Sequence, residues 1–272
     1  MNEKYTILKK RLKNATPPVI RQILTPRQLN AICVGAPKSG TTSIANLFSK
    51  NYRYDHEAER KEHVEFIHSH FSNKVSDNEY IQYLLKRDNR LWLDIESNCF
   101  LGYRPDLVYK AFPHAKFILT IRDPLLWLGS IFDNNINFPV KQSITMERWH
   151  SFFFQPDNYK YHKEELLLKN YKLYPVDAYL NYWVSANKLV IDSIPAKQLL
   201  IINTLLISKN LLELADFLKI PESSFNRQKS RMNVTDNKHG VLEMLDANYT
   251  RDRIHAVCNN FIKSYSLNLI DN

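Results

Sequence analysis

The sequence predicts an α/β protein: three αβα layers around a central, mainly parallel sheet. Three observations predict it. Short apolar runs such as 31–35 and 116–121 have the length of strands, and the second is apolar almost throughout, the pattern of a parallel strand covered on both faces. Segments with helical spacing separate these runs, which is the alternation of a doubly wound sheet. Nothing in the 272 residues repeats, and no Gly/Ser-rich or low-complexity stretch marks a boundary. Residues 31–272 therefore read as one domain behind an N-terminal arm, 1–30.

Each element has its own signal. Ala31, Ile32, Cys33, Val34 and Gly35 make the first strand, and Ile44, Leu47 and Phe48 fall on one side of a helix over 41–50. Residues 52–56 read as a second strand, 59–71 and 77–87 as helices with polar faces, and 91–95 as a third strand. The run 116–121 is the fourth. Pro124 then opens a helix, because the N–H it lacks has no intrahelical partner in a first turn. Residues 176–194 form a long amphipathic helix, 198–202 a fifth strand, and the chain beyond reads as mostly helical.

The charge sits unevenly. Lys and Arg number 37 against 28 Asp and Glu, a net +9 that suggests an anionic partner. Residues 1–30 hold +6 of it, from Lys4, Lys9, Lys10, Arg11, Lys13, Arg21 and Arg27 against Glu3, which leaves +3 on the body. A nucleic-acid binder spreads its basic stripe over the folded body. The arm instead reads as a solvated basic helix followed by Pro17 and Pro18. The three cysteines are far apart, at neither metal nor redox spacing, which fits a reducing compartment. No apolar run of about 7–15 residues follows the basic start, and none approaches the roughly 18 of a membrane span. A cytoplasmic protein with no stable membrane association is expected.

Only five glycines occur, against an average near 7% of residues, so each position counts. Gly35 and Gly40 bracket Ala36, Pro37, Lys38 and Ser39, and Thr41, Thr42 and Ser43 follow. The segment joins the first strand to its helix, at the carboxyl end of the sheet where such folds bind ligands. Backbone N–H groups of a tight turn, with four hydroxyls and a lysine, make a cradle for an anion. A nucleotide-triphosphate loop puts its lysine just after the second glycine. Here Thr41 stands in that place and Lys38 precedes Gly40, which argues against an ATPase, a GTPase or an ordinary kinase.

The run Pro37-Lys38-Ser39-Gly40-Thr41-Thr42-Ser43 instead resembles the 5′-phosphosulfate loop of sulfotransferases that use 3′-phosphoadenylyl sulfate (PAPS). The resemblance implies a P-loop-like sulfotransferase fold and a second element, an Arg at a strand end with a Ser eight residues later, gripping the 3′-phosphate. Arg122 and Ser130 stand at that spacing. An Arg suits a terminal phosphate because its planar fork donates bidentately. Residues 55–59, 90–97 and 183–202 are also similar to bacterial members, so the resemblance covers roughly 31–220. It further implies one more basic ligand from a late loop, for which Lys229 and Arg231 are placed. Where several relatives have a lysine in the third-strand motif, this chain has Asp94, Ile95 and Glu96.

The resemblance also implies sulfuryl transfer from PAPS, with adenosine 3′,5′-bisphosphate (PAP) as product, to a hydroxyl of a small-molecule acceptor such as a specialised metabolite. No metal is required. Lys38 would neutralise the departing phosphate. A general base is needed; His56 and Glu57 at the end of the second strand come first, then Glu96 or Asp94, then Glu62. His63, His68 and His70 lie near Glu62 and Glu65, but H-E-x-x-H fails because Arg60 stands where a second His would be, so a solvated helix face is expected. The aromatics Trp149, Phe152, Phe153, Phe154, Tyr159 and Tyr161 read equally as a lid or as core. A nucleotide kinase or NTPase with a variant loop and a basic nucleic-acid-binding protein are the alternatives. The oligomeric state is left open.

Overall fold

The computed structural model of the chain describes residues 18–139, 144–229, 238–267 and 269. Strands β1 (Ala31–Val34), β2 (Tyr54–His56), β3 (Ile95–Ser97), β4 (Lys116–Ile121) and β5 (Leu199–Asn203) form one sheet in the order β2-β3-β1-β4-β5. Every pairing is parallel, with Cys33 set between Ser97 and Ile118. The helices are α1 (Pro18–Leu24), α2 (Thr41–Leu47), α3 (Arg60–Phe71), α4 (Asp77–Leu91), α5 (Pro105–Ala111), α6 (Pro124–Asn137), α7 (Ile144–Phe154), α8 (Val176–Ser193), α9 (Leu211–Leu218) and α10 (Ala247–Ser264).

The period-2 alternation of β1 divides the core. Ala31 and Cys33 join Ile44 and Leu47 of α2, Phe48 just after it, and Leu211 and Leu214 of α9 on one face. Ile32 and Val34 join Trp127, Tyr179 and Trp183 on the other. A strand that must be apolar on both faces reads as a continuous run, which is why β1 and β4 were visible in the sequence.

The third strand begins later than expected. Helix α4 opens on a capping box, Ser76 with Glu79, and runs four residues past 87 before Trp92 turns left-handed at φ 51°. Asp94 lies in the connection, its carboxylate taking Arg53 Nε and Nη2 (2.9 and 2.8 Å) and the Gln28 N–H (2.9 Å). Strand β3 therefore starts at Ile95 instead of 91. Helices α5 and α7 had no clear signal, and α7 turns out to be the aromatic stretch itself. Its Trp149 and Phe154 are buried, while Phe152 lies partly exposed, stacked on Phe71 at 4.4 Å.

The end of the arm belongs to the body. Residues 1–17 lie outside the described residues, but Arg27 pairs with Asp88 (2.5 Å) and covers the Trp92 ring (4.3 Å), whose N–H reaches the Thr25 carbonyl. The three histidines of α3 are not the solvated face expected. His63 is sealed against the Tyr80 hydroxyl (3.1 Å), His68 reaches the Thr145 carbonyl (2.7 Å), and His70 bridges Tyr103 and Asp77. They are buried because α7 and the tyrosines of α4 pack over that side of α3. Among the described residues no group of His, Cys, Asp or Glu forms a metal-holding cluster, and no helix is long and apolar enough to cross a membrane.

Candidate active site

The loop between β1 and α2 is fixed by close packing. A Cβ on Gly35 would lie 2.5 Å from both Ser39 Oγ and Thr120 Oγ1, so only glycine fits. Gly40 sits at φ +100°, and a Cβ there would also meet Thr204 Cγ2 at 2.8 Å. Lys38 is left-handed as well, at φ 68°, a conformation that costs an L-residue roughly 1–2 kcal/mol. Side chains from three other elements hold the loop carbonyls. Trp127 Nε1 donates to Pro37 (2.7 Å), Arg122 Nη1 to Lys38 (3.4 Å), and the Thr204 hydroxyl to Ser39.

The loop opens on a cleft of about 490 Å³ at the carboxyl ends of the strands. Pro37, Lys38, Gly40, Thr41, Thr42 and Ser43 line one side, with Arg122 from the end of β4. Burial and the neighbouring Arg122 push the Lys38 ammonium down from its ordinary pKa, and burial does the same to Arg122. Neither cation makes an ion pair among the described residues, and the Arg122 Nε is buried without a partner. Two desolvated cations side by side are held at an energetic penalty that a bound anion removes.

His56 and Glu57 line the same cleft. His56 Nε2 lies 3.1 Å from the Thr41 hydroxyl and 3.2 Å from that of Thr42, which ties β2 to the loop. Burial outweighs Glu57 and Asp55 and lowers its pKa, so the ring is neutral at neutral pH. Glu57 follows in a left-handed turn at φ 55°. The Cys99 thiol donates to its Oε1 (3.0 Å), and Arg60 Nη1 lies 3.6 Å from its Oε2. Burial and that carboxylate keep the thiol protonated.

Other expected site residues lie elsewhere. Glu96 does not line the cleft; its two oxygens are taken by the guanidinium of Arg87 (2.5 and 2.6 Å), because it falls inside β3 and not at its end. Asp94 is held by Arg53, and Glu62 is exposed on α3. The Ser39 hydroxyl is buried on Thr120 (2.9 Å), so that side chain braces the loop from behind. Ser130, half-buried on α6, is outside the lining. Arg231 and the side chain of Lys229 fall outside the described residues.

Sequence reasoning missed much of the rest of the lining. Arg60, Cys99, Phe100, Asn134, His150 and Thr204 line the cleft together with Trp149 and Phe154, so the aromatic stretch serves as both core and wall. Burial and then Arg60 push His150 down to about 4, and its Nδ1 has no partner. Thr204 follows β5 directly and was findable from the rule that ligands meet strand ends. His150 carries no such signal.

A parallel sheet whose first strand runs into a lysine-bearing loop, with an arginine from the adjacent strand end beside it, defines an α/β protein with an anion cradle. The family model for the sulfotransferase domain matches residues 30–234, and the chain belongs to that family. The crystal structure of sulfotransferase STF9 from Mycobacterium avium is similar in fold, with a TM-score of 0.50 at 12% identity over 93% of this chain and 81% of that one. A sulfotransferase from Alicyclobacillus acidocaldarius aligns at 16% identity over 88% and 99% (TM-score 0.45). The sulfotransferase domain from the curacin biosynthetic pathway aligns at 11% over 90% and 100% (TM-score 0.41). No curated protein matches the chain.

Proposed function

We propose that this sulfotransferase takes its sulfuryl group from PAPS, releases PAP, and delivers the group to a hydroxyl of a small-molecule acceptor such as a specialised metabolite, in the cytoplasm. The observation that carries the donor is the pair Lys38 and Arg122, two desolvated cations without ion-pair partners among the described residues, one on the loop and one beside it. A donor with a 5′-phosphosulfate and a separate 3′-phosphate supplies an anion for each. Ser130 and Arg231 complete the 3′-phosphate grip in this reading. Cys33, Cys99 and Cys258 are free and buried, which suits a reducing compartment.

Chemistry in the cleft needs positioning and charge neutralisation more than covalent steps. The acceptor oxygen forms a bond to sulfur as the bond from sulfur to the 5′-phosphate oxygen breaks. That oxygen keeps the electron pair, and Lys38 neutralises it. The acceptor proton goes to the Glu57 carboxylate. Glu57 is preferred over His56 because the imidazole Nε2 is already engaged by Thr41 and Thr42. Phe100, Trp149 and Phe154 offer an apolar wall to the acceptor's body.

Thermal melts test the donor. PAP at a hundredfold excess over its dissociation constant should stabilise the protein by about 2.7 kcal/mol. Stabilisation by ATP with magnesium and none by PAP would refute the reading.

A further inference from the structure

We propose that Arg87 is a positioning residue for this reaction, a buried guanidinium that holds the left-handed turn on which Glu57 is carried. The inference rests on Glu57 being the base. Residues 57–59 form an awkward turn: Glu57 and Glu59 both have positive φ (55° and 51°) with no glycine among them, and Ala58 between them is buried. L-residues do not hold such a turn unless the surroundings impose it.

Arg87, on α4 and 3% exposed, imposes it. Nη1 and Nη2 grip the two oxygens of Glu96, and Nη2 also donates to the Ala58 carbonyl, inside the turn. Glu96 is fixed in turn. It pairs in register with Asp55 of β2 and Ile32 of β1, and its Oε1 takes a further hydrogen bond from Asn98 Nδ2 (2.8 Å). The path runs from β3, inside the sheet, through a bidentate ion pair to the peptide between Ala58 and Glu59, in the middle of the turn. The Glu57 N–H to the Ser97 carbonyl (3.0 Å) and Arg90 on the Glu59 carboxylate (2.6 and 2.8 Å) tie the two ends of the turn.

A buried ion pair adds little net stability over apolar residues of the same volume, so stability alone does not explain this one. Its geometry explains it better: the planar fork grips both carboxylate oxygens with two nitrogens while Nη2 also reaches the carbonyl. A lysine has one nitrogen, on a shorter reach, to meet all three acceptors. Glu96 then serves the reaction at one remove, as the anchor of the group that anchors the base.

The test replaces both charges, Arg87→Met with Glu96→Leu, so that neither is left buried alone, and uses Arg87→Lys as a second variant. Rate is read as PAP released from PAPS, with water or p-nitrophenol as acceptor. Either variant should melt as a folded protein, bind PAP within about twofold of wild type, and lose about tenfold or more in kcat with KM little changed. In a Glu57→Gln background the same changes should cause no further loss, because Arg87 acts through that carboxylate. A crystal structure of the double variant should show residues 57–59 out of their left-handed conformation. An unchanged turn, an undiminished rate, or a loss that persists in full without the Glu57 carboxylate would each overturn the inference. Full turnover by Glu57→Gln would instead show that the base assignment was at fault.

Discussion

Lys38 combines two properties that a single substitution can separate. Its left-handed backbone favours glycine and its ammonium faces the cleft, so Lys38→Gly keeps the loop while removing the charge. We expect stability within about 1 kcal/mol of wild type and a loss in rate on the order of a hundredfold or more. Rate loss accompanied by a large drop in melting temperature would mean that the lysine acts through the fold. Arg122→Ala should weaken PAP binding with only a small drop in the melting temperature of the free protein, since this cation makes no ion pair among the described residues and its hydrogen bond to the Lys38 carbonyl is long (3.4 Å); equal affinity would remove it from the site. Lys38 and Gly40 could be placed from sequence because they share one short loop after an apolar strand, and Arg122 because it ends the continuous apolar run of β4. Arg60, Cys99 and His150 could not. Cys99 and His150 meet Glu57 or the cleft from other segments, and a lone Cys or His in sequence looks like any other. Arg60 is only three residues from Glu57, but an i,i+3 pair in a polar helix start reads as an ordinary surface pair.

At the scale of elements, strands with continuous apolar runs were legible in place, and the short mixed strand β3, inside the sheet, was not. β1 and β4 carry continuous apolar runs, whereas β2 and β3 are three residues each and mix polar with apolar side chains. An apolar window at 91–95 therefore looked like a strand while the chain was still finishing α4. The shift has a chemical consequence, because a strand ending at 95 would put Glu96 at its tip, facing the ligand, when it lies within the strand and pairs with Arg87. Helix α6 offers a test of how one element sets the loop. Its Trp127 is fully buried and donates to the Pro37 carbonyl. Trp127→Phe should cost about 1–3 kcal/mol, the penalty for a buried carbonyl left without its donor, and weaken PAP binding severalfold. Chemical denaturation and calorimetric titration with PAP measure the two effects; lost stability with unchanged affinity would show that the loop does not depend on this tie.

Over the whole molecule the charge and the histidines govern different things. Of the net +9, six charges precede the sheet, and the body at +3 relies on a few placed cations. The histidines instead make stability depend on pH. Burial lowers the pKa of His56, His68 and His150 and drives that of His63 far below its ordinary value. A histidine depressed in the folded state is protonated more readily in the unfolded chain, so unfolding takes up protons between the folded and unfolded pKa values. The stability is therefore complete above about pH 6.5 and lost as pH falls through that window. For His150, whose folded value is about 4, the loss is on the order of 3 kcal/mol. The carboxylates of Asp77, Asp94 and Glu59 are also depressed below their ordinary values, by hydrogen bonds from Arg104, Arg53 and Arg90, so their contribution disappears at lower pH still. Denaturant unfolding from pH 7.5 to 5 should show stability falling with pH before the carboxylates titrate. His150→Phe should flatten part of that slope by removing one of the protons taken up. A flat profile over this range in the wild type would mean that the buried imidazoles accept protons in the folded state as readily as in the unfolded chain, and would locate the acid sensitivity in the carboxylates alone.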